Sequence, residues 1–331
     1  MLLASSARPG MTILDPFVGS GTTLVEAALI GLRGLGVDAN PLAVELSRLK
    51  STALTPAQCA ALAETARVIG ENSLERVKKR QRTKTAGSET DDPSFYAPHI
   101  FRELVGLREE IGRERQVKLQ RALLLVLSSI VVKVSRQVSD TSSALTEKTL
   151  AKGFPSRLFV RKAEELERKL QAFGAVAKSA PADIRLGDAR KLPFATGTID
   201  LIVTSPPYVS TYDYVDHHAR RYGWLGFDRK HIENAEIGAR RVDPATALRD
   251  WQESVDRFVA EFARVLKPGG HVFVFIGDST IEQKHFDGAE PIRRAAEQAK
   301  LTLVASAREE LLTRSAAPER TGQFEHLIVL K

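Results

Sequence analysis

The chain has 331 residues, 43% of them hydrophobic, enough to bury one large core carrying an insertion or two modest cores. Its 48 lysines and arginines against 41 acids leave a formal net charge of +7, a balance that favours an acidic partner such as nucleic acid. A lone cysteine, Cys59, excludes an internal disulfide; no apolar run reaches the roughly 18 residues that span a bilayer, and the start lacks a secretory pattern, so a cytoplasmic protein is expected.

Thr12-Ile13-Leu14-Asp15 is a short apolar run ending at a glycine-rich turn, residues 23–30 have helical spacing, and Gly31 offers a stop. Residues 35–38 read as a second strand, closing a right-handed βαβ unit, and Asn40-Pro41 opens another helix. The alternation is then interrupted. Residues 56–173 read as long helices and form a large insertion, so the expected domains are 1–55 with 174–331, and 56–173. Within the insertion, residues 76–84 are strongly basic, 85–93 form a polar loop, 119–134 an apolar helix and 161–170 a charged one. Strands are expected again at 183–188, 199–203, 271–276, 301–305 and 325–330, with helices at 248–266 and 291–300 and a turn at Lys267-Pro268-Gly269-Gly270. This pattern predicts an α/β, Rossmann-like doubly wound sheet, mostly parallel, with functional loops at the carboxyl ends of its strands.

Three segments carry chemistry. Asp15-Pro16-Phe17-Val18-Gly19-Ser20-Gly21-Thr22 joins a strand to a helix, where glycines allow close approach of a ligand to the backbone and to free helix amides. Leu24 stands where a third glycine would mark a dinucleotide fold, and no Gly-Lys-Ser/Thr ending marks a phosphate loop, so both of those ligand classes are disfavoured. Asp38, ending the second strand, is placed to accept from both hydroxyls of a ribose, and Asp188, ending the third, from an adenine amino group. Thr204-Ser205-Pro206-Pro207-Tyr208 follows the fourth strand: its prolines fix the backbone and leave carbonyls free to accept from an amino group, and Tyr208 offers a face for a flat ring.

On these segments the chain resembles the DNA amino-methyltransferases with a Ser-Pro-Pro-Tyr motif, which methylate cytosine at N4. Further matches are Lys267-Pro268-Gly269-Gly270 leading to Gly277-Asp278-Ser279, and Glu325-His326-Leu327-Ile328-Val329. The resemblance implies a seven-stranded methyltransferase sheet with the last strand antiparallel. It implies S-adenosyl-L-methionine held by Asp15, Phe17, Gly19, Gly21 and Thr22, with its ribose on Asp38 and its adenine near Asp188. The catalytic residues would be Ser205, Pro206, Pro207 and Tyr208, acting on a base flipped out of duplex DNA onto Tyr208. Family members carry a segment ahead of the cofactor loop that contacts the methionine end of the cofactor, and here only residues 1–11 precede the first strand.

The insertion is expected to be the target-recognition region, with Arg76, Lys78, Lys79 and Arg80 as a phosphate-contacting arm and Arg136, Arg220 and Arg221 as further DNA contacts. His217 and His218 lack a third ligand nearby, so no metal site is expected. A cognate restriction endonuclease is a partner this reading implies. Adenine N6 methylation, methylation of an RNA base, and a DNA-binding relative impaired in catalysis are the alternatives it keeps open.

Overall fold

The computed structural model describes residues 7–79, 92–140, 142, 144–211, 213–239, 242–310 and 323–331. Arg80 and residues 81–91 of the basic and polar stretches lie outside the described residues. The elements run β1 (Thr12–Asp15), α1 (Thr22–Leu29), β2 (Arg33–Asp38), α2 (Pro41–Lys50), α3 (Pro56–Lys78), α4 (Pro98–Ile111), α5 (Val117–Val134) and α6 (Phe154–Val176). There follow β3 (Asp183–Leu186), β4 (Ile199–Thr204), α7 (Tyr214–Leu225), α8 (Arg229–Ala235), α9 (Pro244–Val265) and β5 (Leu266–Gly277). The chain ends in β6 (Ser279–Ile281), β7 (Lys284–Phe286), α10 (Ala289–Gln298), β8 (Leu303–Glu310) and β9 (Phe324–Leu330). Two compact units result: Met1–Ser51, Ala177–Tyr214 and Ile232–Lys331 make the first, Thr52–Val176 and Val215–His231 the second.

The first unit is built on a seven-stranded sheet of order β3-β2-β1-β4-β5-β9-β8. Strands β1 to β5 pair in parallel, and β9 runs antiparallel between β5 and β8, as the resemblance implies for the last strand. The apolar runs of β1 and β4 are continuous rather than alternating because both faces are covered: Ile13, Leu14, Ile199 and Ile202 have no exposed surface. One face packs on α9, whose Trp251, Val255, Phe258, Phe262 and Val265 recur at helical spacing and are all fully buried. Strand order reverses between β1 and β4, so the loops after these two neighbours open into the crevice where doubly wound sheets bind ligands.

Two local expectations are corrected, and one element has no counterpart among them. The Lys267-Pro268-Gly269-Gly270 turn is a bulge inside β5: Ile199 pairs with Leu266 and Leu201 with His271, so four residues loop out, with Gly269 at φ +81°. Asp200 anchors the bulge, its carboxylate accepting from Lys267 at 2.8 Å and from the Thr12 amide at 2.9 Å. The penultimate strand covers Leu303–Glu310, longer and later than 301–305, because an edge strand exposed along its whole length tolerates the polar Ser306, Arg308, Glu309 and Glu310. Finally, β6 and β7 form a hairpin whose turn residues Glu282 and Gln283 lie at φ +48° and +65°, a conformation that this pair of residue types does not advertise.

The second unit is helical. A capping box of Thr55 and Gln58 starts α3, and α5 supplies the apolar centre through Leu123, Leu127, Ile130 and Val131. The buried Glu103 carboxylate accepts from the Gly153 and Ser156 amides and the Ser156 hydroxyl at 2.7–2.9 Å, stitching α4 to the start of α6. Residues 215–231 pack with this unit, although the expected boundary put them with 174–331. Trp224 of α7 is the cause: buried against Phe101, it donates from Nε1 to Tyr96 Oη at 3.0 Å. Among the described residues, no helix is long and apolar enough to cross a membrane.

Candidate active site

The loop after β1 is organised by two carboxylates, buried Asp15 and half-buried Asp38. Asp15 Oδ1 accepts from the Phe17 amide at 3.1 Å and from the Thr204 hydroxyl at 2.8 Å. Burial pushes its carboxyl up to about 6 against the pull of hydrogen bonds from Thr23, Thr204 and Phe17, with the nearby Asp38 adding to the rise. Asp38 accepts from the Gly19 amide through Oδ2 and from the Asn40 amide through Oδ1, each at 2.8 Å, and burial likewise pushes its carboxyl above the usual range. The Ala39 amide donates to the same carboxylate, which still has acceptor capacity for a ribose hydroxyl.

Gly21 sits at φ +84°, and a Cβ there would lie 2.7 Å from Ser47 Cβ, so both the turn and the approach of α2 demand glycine. As the N-cap of α1 it provides no side-chain cap, which leaves the first amides from Thr22 onward facing the crevice. Phe17 stands edge-on to Phe258 at 5.2 Å, fixing the loop to α9. Backbone donors and the carboxylates of buried Asp15 and half-buried Asp38 suit a ribosylated cation, which S-adenosylmethionine is. Asp188 is differently engaged. Arg190 holds its carboxylate at 2.8 Å, and although burial opposes ionisation, this partner keeps the group below its usual range.

The loop after β4 adjoins the first through the Thr204–Asp15 hydrogen bond. Ser205 is exposed, Pro206 buried, and the Pro207 carbonyl accepts from Trp251 Nε1 at 2.8 Å. The Tyr208 ring passes so close to β5 that a Cβ on Gly277 would lie 2.6 Å from its Cε2. Its hydroxyl donates to Glu325 Oε1 at 3.0 Å and lies 3.4 Å from Ser205 Oγ. Beyond it the backbone strains: Ser210 adopts φ +53°, its amide donating to the Gly238 carbonyl at 3.0 Å.

Behind Gly277, Asp278 is buried and accepts four hydrogen bonds: from His326 and the Gly288 amide on Oδ1, from His285 and the Phe324 amide on Oδ2. Burial works against ionisation here, yet the donors hold the carboxyl below its usual range. Asp278, Asp287 and His326 bring ligating atoms within 4.8 Å of one another, but the Asp278 oxygens are already fully engaged and Asp287 Oδ1 accepts from the Ala289 amide. The cluster therefore reads as the clasp that joins β5, β9 and the start of α10.

Sequence reasoning missed Trp251, Thr204 and the link between Tyr208 and Glu325. Trp251 looks like any core residue of an amphipathic helix, and a hydrogen bond from Tyr208 to a residue 117 positions away has no local signal.

The basic candidates lie in the helical unit, mostly engaged. Arg76 is shared between Glu109 at 2.8 Å and Glu110 at 3.0 Å, joining α3 to α4. Arg221 holds Asp140 at 2.8 Å, Arg220 lies over the Phe95 ring at 3.6 Å, and the Arg136 amide donates to the Phe95 carbonyl. Lys78 and Lys79, at the exposed end of α3, are the most solvated of the set, with Lys78 paired to Glu75. His218 is half-buried and its imidazole is pushed down to about 4, by desolvation first and by Arg221 second.

Residues 1–48 and 199–314 match a family described as DNA methylase, the N6 and N4 methyltransferases; both segments contain one of the two loops. The Type II methyltransferase M.MjaII of Methanocaldococcus jannaschii is 21% identical over 97% of this chain and 75% of its own length. M.BsoBI of Geobacillus stearothermophilus, also a Type II methyltransferase, is 26% identical over 67% of this chain and 48% of its own length. A shorter match of 57 residues, 42% identical, links 17% of the chain to 13% of M.MvaI of Kocuria varians. With the loop geometry, these matches support a DNA amino-methyltransferase whose methyl donor is S-adenosylmethionine.

Proposed function

We propose that the chain methylates the N4 amino group of cytosine in duplex DNA. The observation that carries this reading is the Ser205-Pro206-Pro207-Tyr208 loop at the end of β4, tied by Thr204 to the carboxylate that organises the neighbouring glycine loop. S-adenosylmethionine, when bound, supplies an electrophilic methyl group. Asp38 would accept from its ribose hydroxyls, and Asp15, Phe17, the Gly19 to Thr22 backbone and Asp188 with Arg190 would hold the rest of it. Tyr208 stacks on the flipped base. Ser205 Oγ and the Pro206 carbonyl accept from the amino group, withdrawing its lone pair from conjugation and aiming it at the cofactor loop. Positioning of this kind is the main catalytic resource, since the nitrogen needs no strong base before it is alkylated.

Recognition falls to the helical unit, with Lys78, Lys79 and Arg80 reaching phosphates, and Arg76, Arg136, Arg220 and Arg221 setting the surface around them. The Type II names of the relatives favour a restriction–modification setting with a cognate endonuclease. Incubation with isotopically labelled cofactor and duplex DNA or RNA, followed by digestion to nucleosides and mass spectrometry, tests the proposal. N4-methylcytosine from DNA is the expected product; N6-methyladenine transfers the reading to adenine, and label confined to RNA contradicts it.

A further inference from the structure

A methylated exocyclic nitrogen must shed a proton, and the crevice holds a chain of groups suited to take it. Ser205 Oγ lies 3.4 Å from Tyr208 Oη, which donates to Glu325 Oε1 at 3.0 Å. Glu325 is exposed, so the chain runs from the reacting nitrogen's expected partner to solvent. We propose, resting on the function given above, that Glu325 is a positioning residue which acts through the Tyr208 hydroxyl: it holds the stacking ring and receives the proton released by methylation.

The step balances. The nitrogen lone pair forms the bond to the methyl carbon, the electron pair of the broken carbon–sulfur bond stays on sulfur, and the nitrogen is left positively charged with two protons. One of these passes to Ser205 Oγ as the serine proton passes to Tyr208 Oη and the tyrosine proton to the Glu325 carboxylate, which returns it to water. The amine ends neutral and no further reactant is consumed.

The sheet places Glu325 for this purpose. In the antiparallel register of β9 it stands opposite Gly277 of β5, the glycine over which the Tyr208 ring lies, so the two side chains meet across a gap that any larger residue would fill. On its other side stands Glu309 of β8, directly across the pair. His326 and, opposite it, Arg308 project to the other face, where Asp278 binds His326. Among the described residues, then, the charged side chain directly across the strand pair from Glu325 is Glu309.

The test is single-turnover methyl transfer to duplex DNA in light and in heavy water, with cofactor affinity measured by calorimetry, for the wild type, Glu325→Gln and Tyr208→Phe. Gln keeps an acceptor for the tyrosine without a carboxylate, and Phe keeps the ring without the relay. Both variants are expected to bind cofactor as the wild type does, to transfer methyl about tenfold more slowly, in the lower range of proton-transfer effects, and to lose the wild type's solvent isotope effect on transfer. A Glu325→Gln variant that retains both the rate and the solvent isotope effect overturns the proposal while leaving the methyltransferase reading intact. Absence of transfer by the wild type to any DNA overturns that reading and the proposal with it.

Discussion

The two loops at the centre of the sheet are held by opposite means. The one after β1 is secured largely from within, by glycine at a left-handed φ and backbone amides donating to Asp15 and Asp38, with Thr204 and Phe258 as side-chain partners from farther along the chain. The one after β4 is secured from outside, by Trp251 of α9 on the Pro207 carbonyl and by Glu325 of β9 on the Tyr208 hydroxyl. A loop whose shape is its own backbone suits a constant ligand, whereas a loop braced by distant side chains can present an exposed serine and a flat ring to a base that enters from DNA. Damage to the first should therefore appear in cofactor affinity, and damage to the second in rate.

The largest effect is expected from Gly21→Val. Its branched side chain meets Ser47 at φ +84°, and calorimetry should find cofactor affinity reduced by at least ~100-fold, about 3 kcal/mol. Near-native affinity would mean that the glycine turn does not shape the cofactor site. Trp251→Phe comes next: it keeps the buried ring and removes the donor to Pro207, so kcat should fall about tenfold, in line with ~1–2 kcal/mol for a buried hydrogen bond, at unchanged cofactor affinity. A fall in affinity instead would erase the distinction between the loops. Thr204→Val cuts the bond that joins them and should lower both affinity and rate by only a few-fold, about 1 kcal/mol each way; an effect on one alone would show that the bond serves that loop only.

The smallest effect lies away from both loops. His218 stays neutral in the fold with its pKa near 4, while in the unfolded chain it titrates near 6.5. As pH falls through that window the unfolded chain takes up a proton that the folded one refuses, so stability declines toward acid. Thermal melts of His218→Gln should show a shallower decline than the wild type, with methyl transfer at neutral pH preserved; parallel declines would assign the acid sensitivity to other groups.

Much of this site could be read from the sequence because its determinants are local. A glycine loop between a strand and a helix, an acid at a strand end and two consecutive prolines each impose their geometry within a few residues. The parallel sheet was legible for the same reason, through apolar runs punctuated by Gly and Pro. What escaped depends on distant contacts. Trp251 carries no mark that separates a core ring from one that also donates to a carbonyl, the polar Ser306 to Glu310 hide an edge strand that is paired on one side only, and the pairing of α7 with the helical unit rests on the burial of Trp224. Net charge likewise does not show which cations are paired: Arg76 and Arg221 belong to a basic surplus in the sequence, and in the fold each pairs with acids from other segments.

The separation of roles between the loops is tested most directly by Tyr208→Ala, with cofactor affinity from calorimetry and single-turnover methyl transfer to duplex DNA measured on the same preparation. The ring lies on the braced loop, against Gly277 of β5. The account predicts affinity close to that of the wild type with transfer reduced by about 100-fold, the loss of a stacking platform worth ~1–3 kcal/mol together with the serine's alignment. Equal losses in affinity and transfer would contradict it.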